Sequence, residues 1–300
     1  MKLITSLATT VFLLLFVTGC NEYSDTKQKE TTLTPMTPEV ASRALGTIDS
    51  LDLSTLAPAL TQALSSVDIS SNSINFTPYI TEDDTTRIPY SVTKECPVSG
   101  SVEIEGWVTL SKEFNVTNSY LDCETLDGMF VNGTNRSFGQ LEGSKLLVDT
   151  SENKITVTKG NMKYYFYSEI KMVFDYAKLT SIITLNGLSS ILEFFDNSMF
   201  EHPITFHNFN ITQYFSNTNL SISGEIEIYI ESCVDNYIYI DTEEPLVPQD
   251  GIFTSGILLV NDATYEFLPD GSVNINMLDE FNFNITQGAE AICPSEFYFK

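Results

Sequence analysis

From about residue 74 onward, apolar and polar positions alternate with a period of two. Val102, Ile104, Val108 and Leu110 fall on one face of this pattern, and Glu103, Glu105 and Thr109 on the other. Met162, Tyr164, Phe166, Ile170, Met172, Phe174 and Tyr176 alternate with Lys163, Glu169, Lys171 and Asp175. Leu220, Ile222, Ile226, Ile228 and Ile230 alternate with Ser221, Ser223, Glu225 and Glu227. Successive side chains of a strand point to opposite faces, so these are antiparallel strands with one buried and one wet face. Nearer the N-terminus the period is helical. Thr37-Pro38-Glu39 supplies an N-cap, a proline at the first helical position and an acid near the positive helix end. Val40, Ala41, Ala44 and Leu45 continue that helix up to Gly46. A second begins at about Ser54, with Leu56, Leu60, Ala63 and Leu64 on one stripe and Pro58 in its first turn. The pattern predicts a mainly β fold: an antiparallel meander of repeated hairpins, as a curved sheet, half-barrel or sandwich, with one or two short N-terminal helices.

One strand departs from simple alternation. Over residues 162–176 the even face carries Tyr164, Phe166, Ile170, Met172 and Phe174, and the odd face carries Tyr165, Tyr167 and Val173. A strand apolar on both sides is either central in a sandwich or stands between a core and a ligand cavity. The first five residues are therefore the candidate apolar ligand face, with the N-terminal helices as its lid.

A weak repeat runs through the strands. A Ser-Gly or Asp-Gly step opens an alternating segment at Gly100, Gly128, Gly224, Gly256 and Gly271, and Phe-Asn-Val/Ile-Thr recurs at Phe114–Thr117, Phe209–Thr212 and Phe283–Thr286. These glycines are expected at backbone angles closed to other residues, in turns or bulges. Asn132-Gly133, Asn186-Gly187 and Asp270-Gly271 read as turns. The repeats divide the β region into halves near residues 90–200 and 201–300.

The first segment belongs to export rather than to the fold. Lys2 precedes an apolar stretch whose core, Val11 to Val17, is too short to span a bilayer and has the length of a signal-peptide core. It ends in Val17-Thr18-Gly19-Cys20, which resembles the lipobox of bacterial lipoproteins. That resemblance implies removal of residues 1–19, a diacylglycerol thioether on Cys20 and usually an N-acyl chain. Two or three acyl chains anchor a protein stably where one does not. Asn21 follows the cysteine. By the same resemblance, an Asp there would signal retention at the inner membrane, so Asn21 points to the outer membrane, on its periplasmic or surface side. Residues 20–37 read as the acylated cysteine and a flexible polar tether, and residues 38–300 as the β-rich domain. The second half also resembles uncharacterised, Cys-containing β-repeat lipoproteins of Gram-negative bacteria. That likeness rests on Leu220–Glu231, on Asp241-Thr242-Glu243-Glu244-Pro245-Leu246, and on Ile252-Phe253-Thr254-Ser255-Gly256 running into Asp270-Gly271-Ser272-Val273. It implies no activity.

Four further cysteines, Cys96, Cys123, Cys233 and Cys293, suit two disulfides in an oxidising compartment, with three connectivities open. Pairing Cys96 with Cys123 and Cys233 with Cys293 keeps each bridge within one half. No Cys-x-x-Cys or Cys/His zinc spacing occurs, and no metal or cofactor is expected. The net charge of −25, from 15 Lys+Arg against 40 Asp+Glu, excludes a nucleic-acid binder and disfavours a basic membrane anchor. The only histidines are His202 and His207, beside Glu201. An odd separation places them on opposite faces of a strand, which suits neither a metal site nor a catalytic triad. Glu103/Glu105 and Glu225/Glu227 are same-face carboxylate pairs. They could serve glycoside chemistry, or simply be solvated.

These readings converge on a lipid-anchored envelope protein of non-enzymatic binding or scaffolding type. Its expected partners are the membrane, through Cys20, and an apolar small molecule or an envelope protein. The alternatives are a hydrolase using the paired carboxylates and a surface interaction or adhesion module. Replacing Cys20 with Ala is expected to abolish the acyl mass and leave a soluble or unprocessed protein, as read by intact mass spectrometry and detergent phase partitioning. Wild-type protein without acyl mass would refute the anchor.

Overall fold

A computed structural model describes residues 32–64, 85–126, 128–160, 162–195, 198–230, 234–277 and 282–287. The signal segment, Cys20, Cys233 and Cys293 lie outside the described residues. The expectation of a mainly β antiparallel meander holds. Two helices, α1 (Pro38–Ser50) and α2 (Leu53–Leu64), precede the strands. The first strands are β1 (Ile88–Glu95), β2 (Ser99–Val108), β3 (Glu113–Glu124), β4 (Phe130–Glu142), β5 (Lys145–Lys159), β6 (Met162–Phe166), β7 (Glu169–Asp175), β8 (Thr180–Phe195) and β9 (Ser198–Tyr214). They continue as β10 (Leu220–Ile230), β11 (Val234–Glu244), β12 (Pro248–Gln249), β13 (Ile252–Phe253), β14 (Gly256–Val260), β15 (Ala263–Phe267), β16 (Ser272–Met277) and β17 (Asn282–Thr286). All but the small β12–β13 hairpin join one sheet in chain order, and β1 and β17 end its path, so the sheet is not a closed barrel. It is continuous through position 200, which lies inside β9.

The helices form the centre. Thr37 caps α1 by accepting the Val40 N–H at 3.2 Å, with Pro38 at the first helical position, as the sequence indicates. The helix does not stop at Gly46 but runs on to Ser50, because Gly46 is buried among the packed strands and its neighbours Leu45 and Ile48 are core. Pro58 lies inside α2 beyond its first turn, since that helix starts at Leu53. Leu45, Leu53, Leu56, Leu60 and Leu64 are fully buried. Tyr164 of β6 donates to the Ser50 carbonyl at 3.0 Å, and Tyr265 of β15 to the Ala41 carbonyl at 3.0 Å. Those two strands are six places apart in the sheet, or roughly 29 Å at the usual strand spacing. Ala41 and Ser50 lie only about 13 Å apart along α1. A sheet whose distant strands converge on one helix must curl around it. Elsewhere Thr61 donates to Ser181 of β8 at 3.0 Å, and Lys159 of β5 reaches Asp52 between the helices at 2.5 Å. The end of the expected tether is also bound. Thr34 N–H donates to the Tyr237 carbonyl, the Tyr237 N–H donates to Thr34 Oγ1, and Asn261 Nδ2 donates to the Thr34 carbonyl, each at 2.8 Å.

A crease crosses the long strands at mid-length. β4 and β5 slip register between Thr134 and Arg136, and Glu152 opposite takes φ +53°. β6 and β7 share one strand position, broken at Tyr167 and Ser168, between β5 and β8. β8 and β9 slip between Leu185 and Gly187, and β9 and β10 between Ser223 and Glu225. This overturns two turn assignments. Asn132-Gly133 lies within β4 and Asn186-Gly187 within β8, whereas Asp270-Gly271 does sit in the β15–β16 turn. The glycines serve the bend rather than a reversal. Gly187 takes φ +101°, and at Gly224, φ +130°, a Cβ would come within 2.6 Å of the Asn208 carbonyl oxygen of β9.

Bending interrupts the hydrogen-bond ladder, and buried polar side chains restore it. Thr150 Oγ1 donates to the Ile170 carbonyl at 3.0 Å and accepts the Ile170 N–H at 3.2 Å. Asn153 Nδ2 donates to the Ser168 carbonyl at 2.7 Å. Other buried polar side chains pair with one another instead: Asn118 Nδ2 donates to Asn135 Oδ1 at 2.8 Å and Ser137 Oγ at 2.9 Å. These residues are buried on the helix-facing side. Two other positions depart from the alternation at strand ends. Thr109 is buried because its Oγ1 accepts the Glu113 N–H in the β2–β3 turn. Asp175 is buried while Tyr176 is exposed. Burial opposes the Asp175 charge, but hydrogen bonds from Ser144 Oγ and from the Lys178 and Ala177 N–H groups outweigh it and hold its pKa below the ordinary carboxylate value. Cys96, after β1, is bonded to Cys123 of β3, in agreement with the pairing favoured from the sequence.

Leu60→Ala is expected to lower unfolding stability by about 2–5 kcal/mol, because the surrounding sheet cannot collapse into the cavity. Asn153→Ala should cost about 1–3 kcal/mol by leaving the Ser168 carbonyl unpaired. Denaturant titration of each variant reads both. A near-neutral Asn153→Ala would mean that the crease is not held by that side chain.

Candidate functional site

The residues expected to form an apolar ligand face lie in the core instead. Tyr164, Phe166, Ile170 and Met172 are at most 2 % exposed, and Phe174 packs against the same core. The helices fill the space they face. Burial pushes the Tyr164 phenol above its ordinary pKa, with the nearby Asp52 carboxylate adding to the effect, and burial alone raises that of Tyr265. Both remain neutral donors to helix carbonyls. The opposite side of β6–β7 meets no second sheet among the described residues. Tyr165 and Tyr167 stack there at 6.2 Å, with Tyr167 exposed.

That outer side carries a groove of about 630 Å³. Strand register explains its shape. One wall is the row Trp107, Asn115, Phe138, Asp149, Lys171 and Thr184, in which each residue is the cross-strand partner of the next, from β2 to β8. The second wall is the parallel row Glu113, Gln140, Leu147 and Val173. Between them runs the row Phe114, Gly139, Val148 and Met172, whose side chains belong to the inner face, so backbone forms the floor. The groove therefore crosses the strands. Its walls mix two aromatic rings with side-chain amides, two carboxylates and one amine. Phe138 is 40 % exposed. The Arg87 guanidinium sits 4.5 Å over the Trp107 ring, a cation–π contact that braces this wall from outside the groove. Arg136 Nε donates to Asn115 Oδ1 at 3.0 Å, and Thr184 donates to Asn210 Oδ1 at 2.7 Å.

The candidates for acid–base chemistry fall elsewhere. His202 is buried on the inner face and His207 is half-exposed on the outer, as their odd spacing requires. On the outer face the structure brings together His207, Glu225, Glu227 and Tyr237. His207 Nε2 lies 3.5 Å from Glu227 Oε2, its ring meets Tyr237 edge-on at 5.7 Å, and Tyr237 donates to Glu225. Glu201 is exposed, and Glu103 and Glu105 sit on the outer face opposite Ser119 and Thr117. No group of three or more metal-ligating side chains occurs among the described residues, and no helix among them is long and apolar enough to cross a membrane.

Sequence reasoning missed Trp107 and Phe138. A signal for Trp107 was present: it shares strand parity with Glu103 and Glu105, so a large aromatic was assigned to the wet face by the alternation itself. No protein-family model matches the chain, and no curated protein does.

Trp107 is the single tryptophan, so its emission reports on this wall alone. Arg87→Ala is expected to shift that emission while changing stability by no more than about 1 kcal/mol. An unchanged spectrum would show that the guanidinium does not brace the ring in solution.

Proposed function

We propose that this chain is a lipid-anchored envelope protein of non-enzymatic binding or scaffolding type, which engages its partner on the outer face of a curled sheet, at the groove crossing β2 to β8. The observation that carries this reading is the occupied interior. Leu56, Leu60, Tyr164 and Met172 all belong to one buried core there, which leaves no place for a bulky apolar guest between helices and sheet among the described residues. A ligand then has the wet face available, and the groove is the concave part of it that combines exposed rings with convergent polar groups. Anchoring at Cys20 and an outer-membrane address remain part of the proposal, on the strength of Val17-Thr18-Gly19-Cys20 and Asn21.

The hydrolase reading comes second. His207, Glu225 and Glu227 are within reach of one another, but both His207 and Glu227 are about 40 % exposed on an open sheet face, where water competes with any substrate. Organic extraction of the purified Cys20→Ala protein, followed by mass spectrometry, tests the leading reading. Less than stoichiometric lipid is expected. Lipid retained at near one equivalent would overturn binding at the outer face in favour of an interior carrier.

A further inference from the structure

We propose that the groove binds a linear, neutral oligosaccharide, an inference that rests on the outer-face reading above and names its ligand class. The six wall residues from Trp107 to Thr184 span five strand spacings, or roughly 24 Å. The groove is bounded by two parallel side-chain rows with backbone between them. That shape suits one extended chain better than a compact molecule.

The lining selects among extended chains. Pyranose rings present two kinds of surface: C–H faces that lie against aromatic rings, and hydroxyl edges that need both donors and acceptors. The wall offers both in alternation. Trp107 and Phe138 supply flat apolar surface two strands apart, and Asn115 stands between them. Asp149 and Lys171, the next two positions, pair an acceptor with a donor. An acidic glycan or other polyanion is disfavoured by Asp149, by Glu113 on the facing wall and by the net charge of −25. A lipid tail would leave the amides and charges of both walls desolvated and unpaired. An extended peptide fits the dimensions, but the groove offers it no strand edge, because every strand beneath is paired on both sides.

The test uses the full acylated chain in polyoxyethylene detergent micelles, which carry no sugar. Maltohexaose, chitohexaose, a sulfated hexasaccharide and a neutral hexapeptide are titrated separately, with Trp107 emission and calorimetry as readouts. A saturable response to maltohexaose or chitohexaose is expected, with Kd between about 10 μM and 1 mM. Phe138→Ala and Asp149→Asn, both half-exposed or exposed positions, should each weaken it about tenfold or more. Leu259→Ala, an exposed apolar change on β14 away from the groove, should leave it unchanged. Absence of a response to either neutral hexasaccharide up to about 10 mM overturns the proposal, as does a response indifferent to both groove variants. Binding of the hexapeptide or sulfated sugar alone, abolished by Phe138→Ala, overturns the glycan assignment and keeps the outer-face reading. Near-stoichiometric lipid in the extract defeats that reading as well.

Discussion

Backbone hydrogen-bonding groups removed from water must find partners, and the long strands of this sheet are bent where the ladder cannot supply them. The bend has a cause. The first helix buries Ala41, Ala44, Leu45 and Ile48, and the second buries Leu53, Leu56, Ala57, Ala59, Leu60 and Leu64 around most of its circumference; the pair needs more cover than a flat sheet gives on one side. Curling brings β6 and β15 onto the same helix through Tyr164 and Tyr265. It also breaks β6 from β7 and forces the register slips beside Gly187 and Gly224. Thr150 and Asn153 then take over the roles of missing ladder partners at Ile170 and Ser168. The buried polar residues are therefore a consequence of the helices being inside.

The same arrangement decides where recognition can occur. A carrier of the kind the strand pattern allows would keep its helices as a lid and its cavity between them and the sheet. Here the helices occupy that space, and Leu60 and Leu64 are as buried as any strand residue. On the proposed reading, function falls to the outer face, where side chains need not pack and where an exposed Phe138 and a half-exposed Trp107 have no role in a core. Electrostatics act in the same direction. A strongly acidic surface tolerates neutral partners and repels polyanions, so the mixed lining of the groove restricts the partner further than its shape does.

Local pattern made much of this legible. Thr37-Pro38 marked the start of α1, the alternation of Val102 and Ile104 with Glu103 and Glu105 marked a strand with one wet face, and Gly100, Gly128, Gly224, Gly256 and Gly271 all take positive φ as their repeated context indicated. What the pattern could not convey is non-local. Tyr164, Phe166 and Met172 are apolar whether they face a ligand or a helix, and only the path of residues 38–64 through the interior distinguishes the two. Asn-Gly within a strand and Asn-Gly at a hairpin look alike until the neighbouring strand is placed, since the close approach at Gly133 is to the Lys154 carbonyl of β5. The groove depends on register across six strands, and a single strand such as β2 shows no more of it than a large aromatic, Trp107, on the wet face.

Register is also where the buried polar residues acquire a second role. A one-residue slip turns a strand inside out and is excluded by the apolar face. A two-residue slip keeps that face inward, and in a meander of similar alternating strands the apolar pattern alone scarcely opposes it. Asn118 of β3 and Asn135 and Ser137 of β4 meet only in the native register. Shifting β4 by two residues would set Asn118 opposite Gly133 or opposite Ser137 and remove one of its two hydrogen-bond partners, at a cost of about 0.5–1.5 kcal/mol. The tight contacts at Gly100 and Gly224 act similarly, because any other residue moved to those points would collide with the neighbouring backbone. The features that let the sheet bend around its helices thus also keep Trp107, Asn115, Phe138 and Asp149 in one row, and the groove exists because that row does.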